Sequence, residues 1–258
     1  MNFDLKKWEE EKLLEEKYGG EKCEAFFADL ERLKKGEPLD FLIGGREFLG
    51  SWIDLEYKPL IPRDETEYWI YTYIFPKIEN WRNFASQNSA PKILDIFSGS
   101  GCIGISLLNN FENIFVDFGE IKKENILQIK KNIQINNLEK TNFNIYQSDI
   151  FEQIPKKKYN FILANPPYIS KNRIDTVQKS VLDFEDEKAL FADDDGLFFI
   201  KKLIQKSKTY LEKNGELWIE FDPWQKELIL NFLKKEKIQN FEFKKDQYQK
   251  ERFLKIIV

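Results

Sequence analysis

The sequence predicts an α/β fold: a doubly wound, mostly parallel sheet with an antiparallel last strand, preceded by a small helical region. Three observations carry this. From Lys92 onward, apolar runs of strand length alternate with amphipathic stretches of helix length, the pattern of βαβ units with helices on both faces. A Gly-rich turn, Ser98-Gly99-Ser100-Gly101, separates the first run from the first helix. A later run, Phe161 to Ala164, stops at Asn165-Pro166-Pro167-Tyr168.

The chain divides by composition into residues 1–37, 38–62 and 63–258. The first part is highly charged, with apolar positions at Leu5, Trp8 and Leu13 and then at Phe26, Phe27, Leu30 and Leu33. That spacing predicts two amphipathic helices broken near Gly19-Gly20. The second part is richer in glycine and aromatics, and Phe48 through Tyr57 predicts a hairpin turning at Gly50-Ser51. In the third, Ile93 to Phe97 reads as a buried strand, with a helix from about Cys102. Ile114 to Glu120 is a second strand, followed by a lysine-rich amphipathic helix from Glu124 to Asn136. Phe143 to Tyr146 and Tyr159 to Ala164 are the third and fourth strands. A helix from Gly196 to Leu211 leads to a strand from Glu216 to Phe221, and Pro223 opens another helix. Phe241 to Phe243 and Arg252 to Val258 read as a closing pair.

Composition narrows the chemistry. The chain has 258 residues, 40 Lys and Arg against 44 Asp and Glu, and a net charge of −4. A nucleic-acid binder carries a basic face, so this balance argues against such a partner. Two cysteines do not make a disulfide framework and fit a reducing compartment. With a charged N-terminus and no long apolar run, the expectation is a soluble cytoplasmic protein without a membrane partner. There is no histidine. A histidine base, a histidine triad and the usual histidine metal sites are excluded, and no metal site is expected. Carboxylates, amides, hydroxyls, backbone groups or an organic cofactor must do the work.

The glycines of residues 98–101 let backbone approach a ligand at a helix N-terminus. A dinucleotide fingerprint is absent, because Ile105 stands where the third glycine would fall; a purely structural turn is the other reading. Glu120, at the end of the second strand, is placed to accept hydrogen bonds from the ribose hydroxyls of an adenosine-bearing cofactor. Asp117 is the competing acid, inside the same strand. Asp149 either reaches an adenine amino group or caps a turn. The Asn165-Pro166-Pro167-Tyr168 segment accepts hydrogen bonds but donates few, since proline has no N–H. It suits an NH2 group held while its nitrogen attacks an electrophile; a Pro-Pro turn is the plain alternative. All three features fall at the carboxyl ends of parallel strands, where open α/β sheets bind ligands.

With these motifs the chain resembles the S-adenosylmethionine-dependent amino-methyltransferases, and more narrowly the HemK-type peptide chain release factor glutamine methyltransferases. The resemblance runs from about Gly36 to the C-terminus. "GEPLDFLIGGREFLG" and "PLIPRDETE" resemble that family's linker and the mouth of its cleft, "LDIFSGSGCIGISL" its cofactor loop and "NFILANPPYI" its substrate loop. "DFEDEKALFADDDGL" and "ELWIEFDPWQ" are similar to the segments that follow. The substrate loop is shared with adenine-specific DNA methyltransferases; "IPRDETE" points to the glutamine branch. Phe97 stands where the family usually has glycine, Asp64 and Asp186 where it has proline, and Asp222 where it has glycine. The helical region is shorter than the family's, which helps to embrace the release factor.

The resemblance implies a class I methyltransferase domain over 63–258, S-adenosylmethionine as cofactor, and methylation of the glutamine in the Gly-Gly-Gln loop of release factors. Phe97, Ser98, Gly99, Ser100, Gly101, Glu120, Asp149, Ile150 and Asn165 would contact the cofactor. Asn165, Pro166, Pro167 and Tyr168 would hold the substrate, with Arg63 and Glu185 beside them. Catalysis would rest on Asn165 and Pro166, whose side-chain and main-chain carbonyls accept the two amide N–H bonds, and on Tyr168, packed on the amide or walling the cleft. Arg63 and Glu67 either line the cleft or form interdomain salt bridges. Asp193-Asp194-Asp195-Gly196 lacks the rest of a calcium loop and reads as a helix cap. Cys102 reads as a packed thiol, or as one activated by the helix start. A monomer is expected. The other readings are an adenine-N6 nucleic-acid methyltransferase, a ribosomal-protein glutamine methyltransferase, or a cofactor-binding protein without catalysis.

Overall fold

The structure, a computed structural model, describes residues 7–84 and 90–258; Leu5 lies outside them. The chain opens with α1 (Lys7–Tyr18), α2 (Glu24–Lys34) and α3 (Leu39–Ile43). Helix α2 buries Phe26, Leu30 and Leu33 along one stripe. Helix α1 departs from the amphipathic expectation: only Leu13 is fully buried, and Trp8 is exposed. Leu13, with Leu14 and Tyr18 partly buried beside it, packs α1 on the small core that Leu39 and Leu42 complete, and Lys17 and Tyr18 donate to Asp29 of α2.

Strands β1 (Gly45–Phe48) and β2 (Ser51–Asp54) form the expected hairpin. Its turn is Leu49-Gly50, both in the left-handed region (φ 49° and 74°), not Gly50-Ser51. A leucine there is strained locally. Three side chains hold it: the Glu67 carboxylate accepts from Leu49 N–H, and Asn110 and Asn109 donate to the carbonyls of Leu49 and Gly50. Residues 64–84 then form α4 (Asp64–Trp69), a π-turn (Ile70–Ile74) and α5 (Phe75–Phe84), for which periodicity supplied no expectation.

The remaining elements are β3 (Lys92–Ile96), α6 (Cys102–Asn110), β4 (Phe115–Glu120), α7 (Lys123–Ile135), β5 (Phe143–Gln147) and β6 (Tyr159–Ala164). After them come β7 (Ile169–Ser170), α8 (Lys179–Phe184), α9 (Glu187–Leu190), β8 (Phe191–Ala192), α10 (Phe198–Ser207) and β9 (Leu211–Glu220). A short 3-10 turn (Pro223–Gln225) leads into α11 (Lys226–Lys235), followed by β10 (Phe241–Lys245) and β11 (Glu251–Ile257). The main sheet runs β10-β11-β9-β6-β3-β4-β5. Its members from β9 to β5 are parallel, and β11 enters antiparallel to both β9 and β10. The mostly parallel, doubly wound fold is as expected.

Alternation along the strands builds two cores. Ile93, Phe161, Leu163, Trp218 and Phe253 face α4–α7 and the hairpin, while Leu94, Ile162, Leu217, Ile219 and Leu254 face α10 and α11. A sheet buried on both faces needs apolar residues at successive positions. The chain leaves β3 toward β4 and β5 and returns on the other side as β6, so the strand order reverses beside β3. At that reversal the loops part and leave a crevice.

Candidate active site

A cleft of about 350 Å³ opens at the carboxyl ends of β3, β4 and β6. The turn after β3 forms one wall. The Ser98 hydroxyl reaches the carbonyls of Asp95 (2.8 Å) and Gly119 (3.2 Å), tying the turn to β4. Phe97, Ser98, Gly99 and Ser100 line the cleft; Gly101 does not. Gly101 instead begins α6 with φ 81°, and a Cβ there would stand 3.0 Å from Ile105 and 3.1 Å from Ile129. Phe97 also lies in the left-handed region (φ 61°), its ring edge-on to Phe199 at 5.2 Å.

Glu120 organises this edge. One oxygen accepts from Gly99 N–H (2.8 Å), the other from the N–H groups of Ile121 (2.8 Å) and Lys122 (2.9 Å). Three of about four lone pairs are thus used, leaving one for a ribose hydroxyl without rearrangement. Asp117 lies away from the cleft, fully buried, accepting from Asn144 (2.9 Å), the Tyr159 hydroxyl and Lys157. Asp149 and Ile150 line the opposite wall. The Asp149 carboxylate accepts no hydrogen bond from a described residue; Gln153 serves the local turn by accepting from Asp149 N–H (3.0 Å). Behind the turn, burial pushes the Asp95 carboxyl up to about 7, against the Gly104 N–H bond that favours its charge. Burial likewise pushes the Cys102 thiol up to about 12, so it is packed rather than activated.

A second cavity of about 660 Å³ adjoins the first. Asn165, Arg63, Leu60 and Ala189 line both; Pro167 faces the first, Pro166 and Tyr168 the second. Asn165 stands at the junction. Its Nδ2 donates to Thr66 Oγ1 (3.1 Å), and Thr66 Oγ1 donates to Glu220 Oε2 (2.8 Å). Glu220 is buried and also accepts from Trp69 Nε1 (3.1 Å) and the Tyr168 hydroxyl (3.1 Å). Burial raises the Glu220 carboxyl above the usual carboxylate range, opposed by Thr66, the nearby Arg252, Trp69 and Tyr168.

The substrate loop is buttressed from behind. Gln225 Nε2 donates to the carbonyls of Tyr168 and Asp195, 2.9 Å each. The run Asp193 to Gly196 is therefore not the helix cap expected. Asp194 and Asp195 adopt left-handed backbone (φ 58° and 53°), Asp194 pairs with Lys201, and no side chain caps α10. No group of His, Cys, Asp or Glu among the described residues could hold a metal. Glu185, nearly fully buried, lines neither cavity but binds Arg63 and the Ile61 N–H. Next to it Asp186 caps α9 and pairs with Lys122. Asp64 pairs with Arg46, and Asp222 caps the turn before α11.

Thr66, Glu220 and Gln225 were not singled out from sequence, and Gly196 was read only as part of a helix cap. Thr66 and Glu220 lie inside "IPRDETE" and "ELWIEFDPWQ", but a threonine near a helix start and an acid at a strand end have ordinary local roles. Only the fold brings them, 154 positions apart, to Asn165.

A seven-stranded sheet of this order, with a glycine turn and an acid flanking a cleft at its strand reversal, defines a Rossmann-like class I methyltransferase. A family profile described as "Methyltransferase small domain" matches residues 82–186. The release factor glutamine methyltransferase of Flavobacterium psychrophilum is 32% identical over 230 residues, covering 87% of this chain and 77% of its own. Its counterpart in Lactococcus lactis is 31% identical over 208 residues, covering 81% and 72%. That of Buchnera aphidicola is 35% identical over 206 residues, covering 79% and 69%. The chain belongs to the release factor glutamine methyltransferase family, whose members are S-adenosylmethionine-dependent. Among solved structures, the N-terminal domain of human METTL16 in complex with SAH superposes with a TM-score of 0.56 at 17% identity, covering 81% of this chain and 76% of that one. A human methyltransferase 10 domain containing protein gives 0.56 at 17%, covering 81% and 88%. These two likenesses are of fold. None of the described helices is long and apolar enough to cross a membrane.

Proposed function

We propose that the protein transfers the methyl group of S-adenosylmethionine to the side-chain amide nitrogen of the glutamine in the Gly-Gly-Gln loop of peptide chain release factors. The observation that carries this is Asn165 at the junction of two cavities, in a chain of this family. One cavity offers a carboxylate to a ribose and the other is walled by Pro166 and Tyr168.

The cofactor, when bound, supplies a methyl group on a positively charged sulfur. Glu120 would take the ribose and Asp149 the adenine amino group, with Phe97 to Ser100 and Ile150 lining the cleft around it; Gly101 sets the turn. Asn165 Oδ1 and the Pro166 carbonyl accept the two N–H bonds of the substrate amide. Holding both hydrogens turns the nitrogen lone pair toward the methyl carbon and stabilises positive charge developing on nitrogen. On taking up the methyl group the substrate nitrogen would carry one proton too many, and that N–H proton would pass to water. No strong base is required, which accommodates a chain without histidine. Alignment of this kind is worth several kcal/mol, roughly, by removing orientational freedom. Tyr168 and Pro166 wall the substrate, Pro167, expected beside the substrate, faces the cofactor cavity instead, Arg63 and Glu185 brace the roof, and α1–α3 dock the release factor. The enzyme works in the cytoplasm as a monomer.

The test is radiolabelled methyl transfer from S-adenosylmethionine to purified release factor, ribosomal protein and DNA in parallel. Label on the release factor, lost when its loop glutamine is replaced, is expected. Label on DNA alone sinks the proposal.

A further inference from the structure

The proposed chemistry needs Asn165 to present its oxygen, not its nitrogen, to the substrate. Asparagine is nearly symmetric in shape, so packing alone does not choose. The surrounding hydrogen bonds do. Trp69 Nε1 can only donate, and it donates to Glu220 Oε2 (3.1 Å), so that atom must be an acceptor. Thr66 Oγ1 lies 2.8 Å from the same atom and has a single proton, which is committed there. Its oxygen is then left as an acceptor toward Asn165, 3.1 Å away. Only the NH2 end of the Asn165 amide can satisfy it. The opposite end, Oδ1, is thereby turned into the cleft.

We infer that Thr66 and Glu220 are positioning residues: a one-way chain of hydrogen bonds from Trp69 through Glu220 and Thr66 fixes which end of the Asn165 amide faces the substrate. The chain crosses the fold, joining α4 to the end of β9 and the loop after β6. Thr66, Trp69 and Glu220 are all buried, with Thr66 bordering the first cavity and Glu220 the second. The Tyr168 hydroxyl on Glu220 Oε1 adds a donor from the substrate loop itself. Arg252 supplies positive charge on the same side, favouring the charged carboxylate.

This inference rests on the proposed acceptor role of Asn165, and its test separates the two. Thr66→Val keeps the shape but has no hydroxyl; Thr66→Ser restores it. In single-turnover transfer to a release factor, Thr66→Val is expected to lose about tenfold or more in rate, comparable to removing one preorganised polar contact. Cofactor affinity stays within about twofold, and Thr66→Ser recovers most of the rate. Independently of any substrate, the Asn165 side-chain amide protons, assigned by NMR through their loss in Asn165→Ala, should exchange slowly in the wild type. They should exchange faster in Thr66→Val. They stay slow in Glu220→Gln, because the Trp69 N–H still draws an oxygen to the Oε2 position. Wild-type rate and slow exchange in Thr66→Val overturn the inference, as does a Thr66→Ser enzyme as impaired as Thr66→Val. If the wild type labels no release factor, the proposed function fails, and amide exchange alone decides the hydrogen-bond chain: fast exchange in the wild type refutes it.

Discussion

Arg63 and Glu185, 122 positions apart in the chain, are joined by two hydrogen bonds of 2.6 and 2.8 Å. Arg63 lines both cavities, whereas Glu185 is enclosed behind it. Arg63→Ala leaves a buried carboxylate with one remaining contact, the Ile61 N–H at 3.3 Å. An unsatisfied buried group costs about 1–3 kcal/mol, a fall of several degrees in Tm, roughly, for a chain of this size. Cofactor affinity should weaken several-fold because the pair braces the roof. Arg63→Lys should recover part of both losses, since the two bonds come from one nitrogen, Nη2, and an ammonium is also a single-nitrogen donor. Calorimetry with S-adenosylmethionine checks this; unchanged affinity in Arg63→Ala removes the roof from the account.

The substrate loop rests on Gly196. A Cβ at that position would come within 2.0 Å of the Tyr168 carbonyl oxygen and 2.4 Å of Gln225 Nε2, and φ is 80°. Gly196→Ala must therefore push the loop carrying Asn165. Overpacking of this kind costs about 1–3 kcal/mol, and a displacement near 1 Å costs about a hundredfold in rate. The expected result is a sharp loss of kcat with cofactor affinity largely kept, because the Gly99–Glu120 edge is remote. Equal losses in both measurements would place the damage in the fold as a whole.

Sequence made the central strands β3, β4 and β6 legible because they are buried along most of their length, which calls for apolar runs such as Ile93 to Phe97 or Phe161 to Ala164. It also pointed to the strand reversal, since glycines, an acid and an Asn-Pro-Pro-Tyr segment were each read at a strand end. What it hid was cooperative. The Leu49-Gly50 turn is held by Glu67, Asn109 and Asn110 against local preference. The acidic run at 193–195 reads as a cap yet serves as a spacer, presenting a carbonyl to Gln225. Thr66 and Glu220 carry meaning only once β9 lies beside β6.

Glu120 and Asp117 lie on the same strand and have opposite fates. Glu120→Ala removes a cleft acceptor and frees three backbone N–H groups, so S-adenosylmethionine affinity should fall about tenfold or more, at roughly 1.4 kcal/mol per factor of ten. Asp117→Asn loses the charge facing Lys157 but touches no cleft atom. It should lower stability by about 1 kcal/mol and leave affinity within about twofold. Titration calorimetry and urea unfolding of both variants settle the assignment. A larger affinity loss in Asp117→Asn returns the ribose to that residue.

Asp95 gives the fold a pH signature. Its Oδ2 accepts from Gly104 N–H at 2.9 Å, but Oδ1 has no partner among the described residues, and burial lifts the group from its ordinary 3.8 to about 7. The fold therefore holds a proton that the unfolded chain has released. Between pH of about 4 and about 7 the unfolded state binds fewer protons, so stability falls as pH rises and levels off above that window. The full effect is about 4 kcal/mol. Glu220 acts in the same direction, while Asp54 and Asp186, whose values are lowered mainly by their lysine partners against the cost of burial, act in the opposite one. The contribution of Asp95 is therefore isolated as a difference from Asp95→Asn, which keeps the Gly104 bond and does not titrate. Urea unfolding at half-unit steps from pH 4.5 to 8 should show wild-type stability declining relative to the variant up to about pH 7. Parallel curves would mean that Asp95 is already ionised in the fold, with solvent reaching Oδ1.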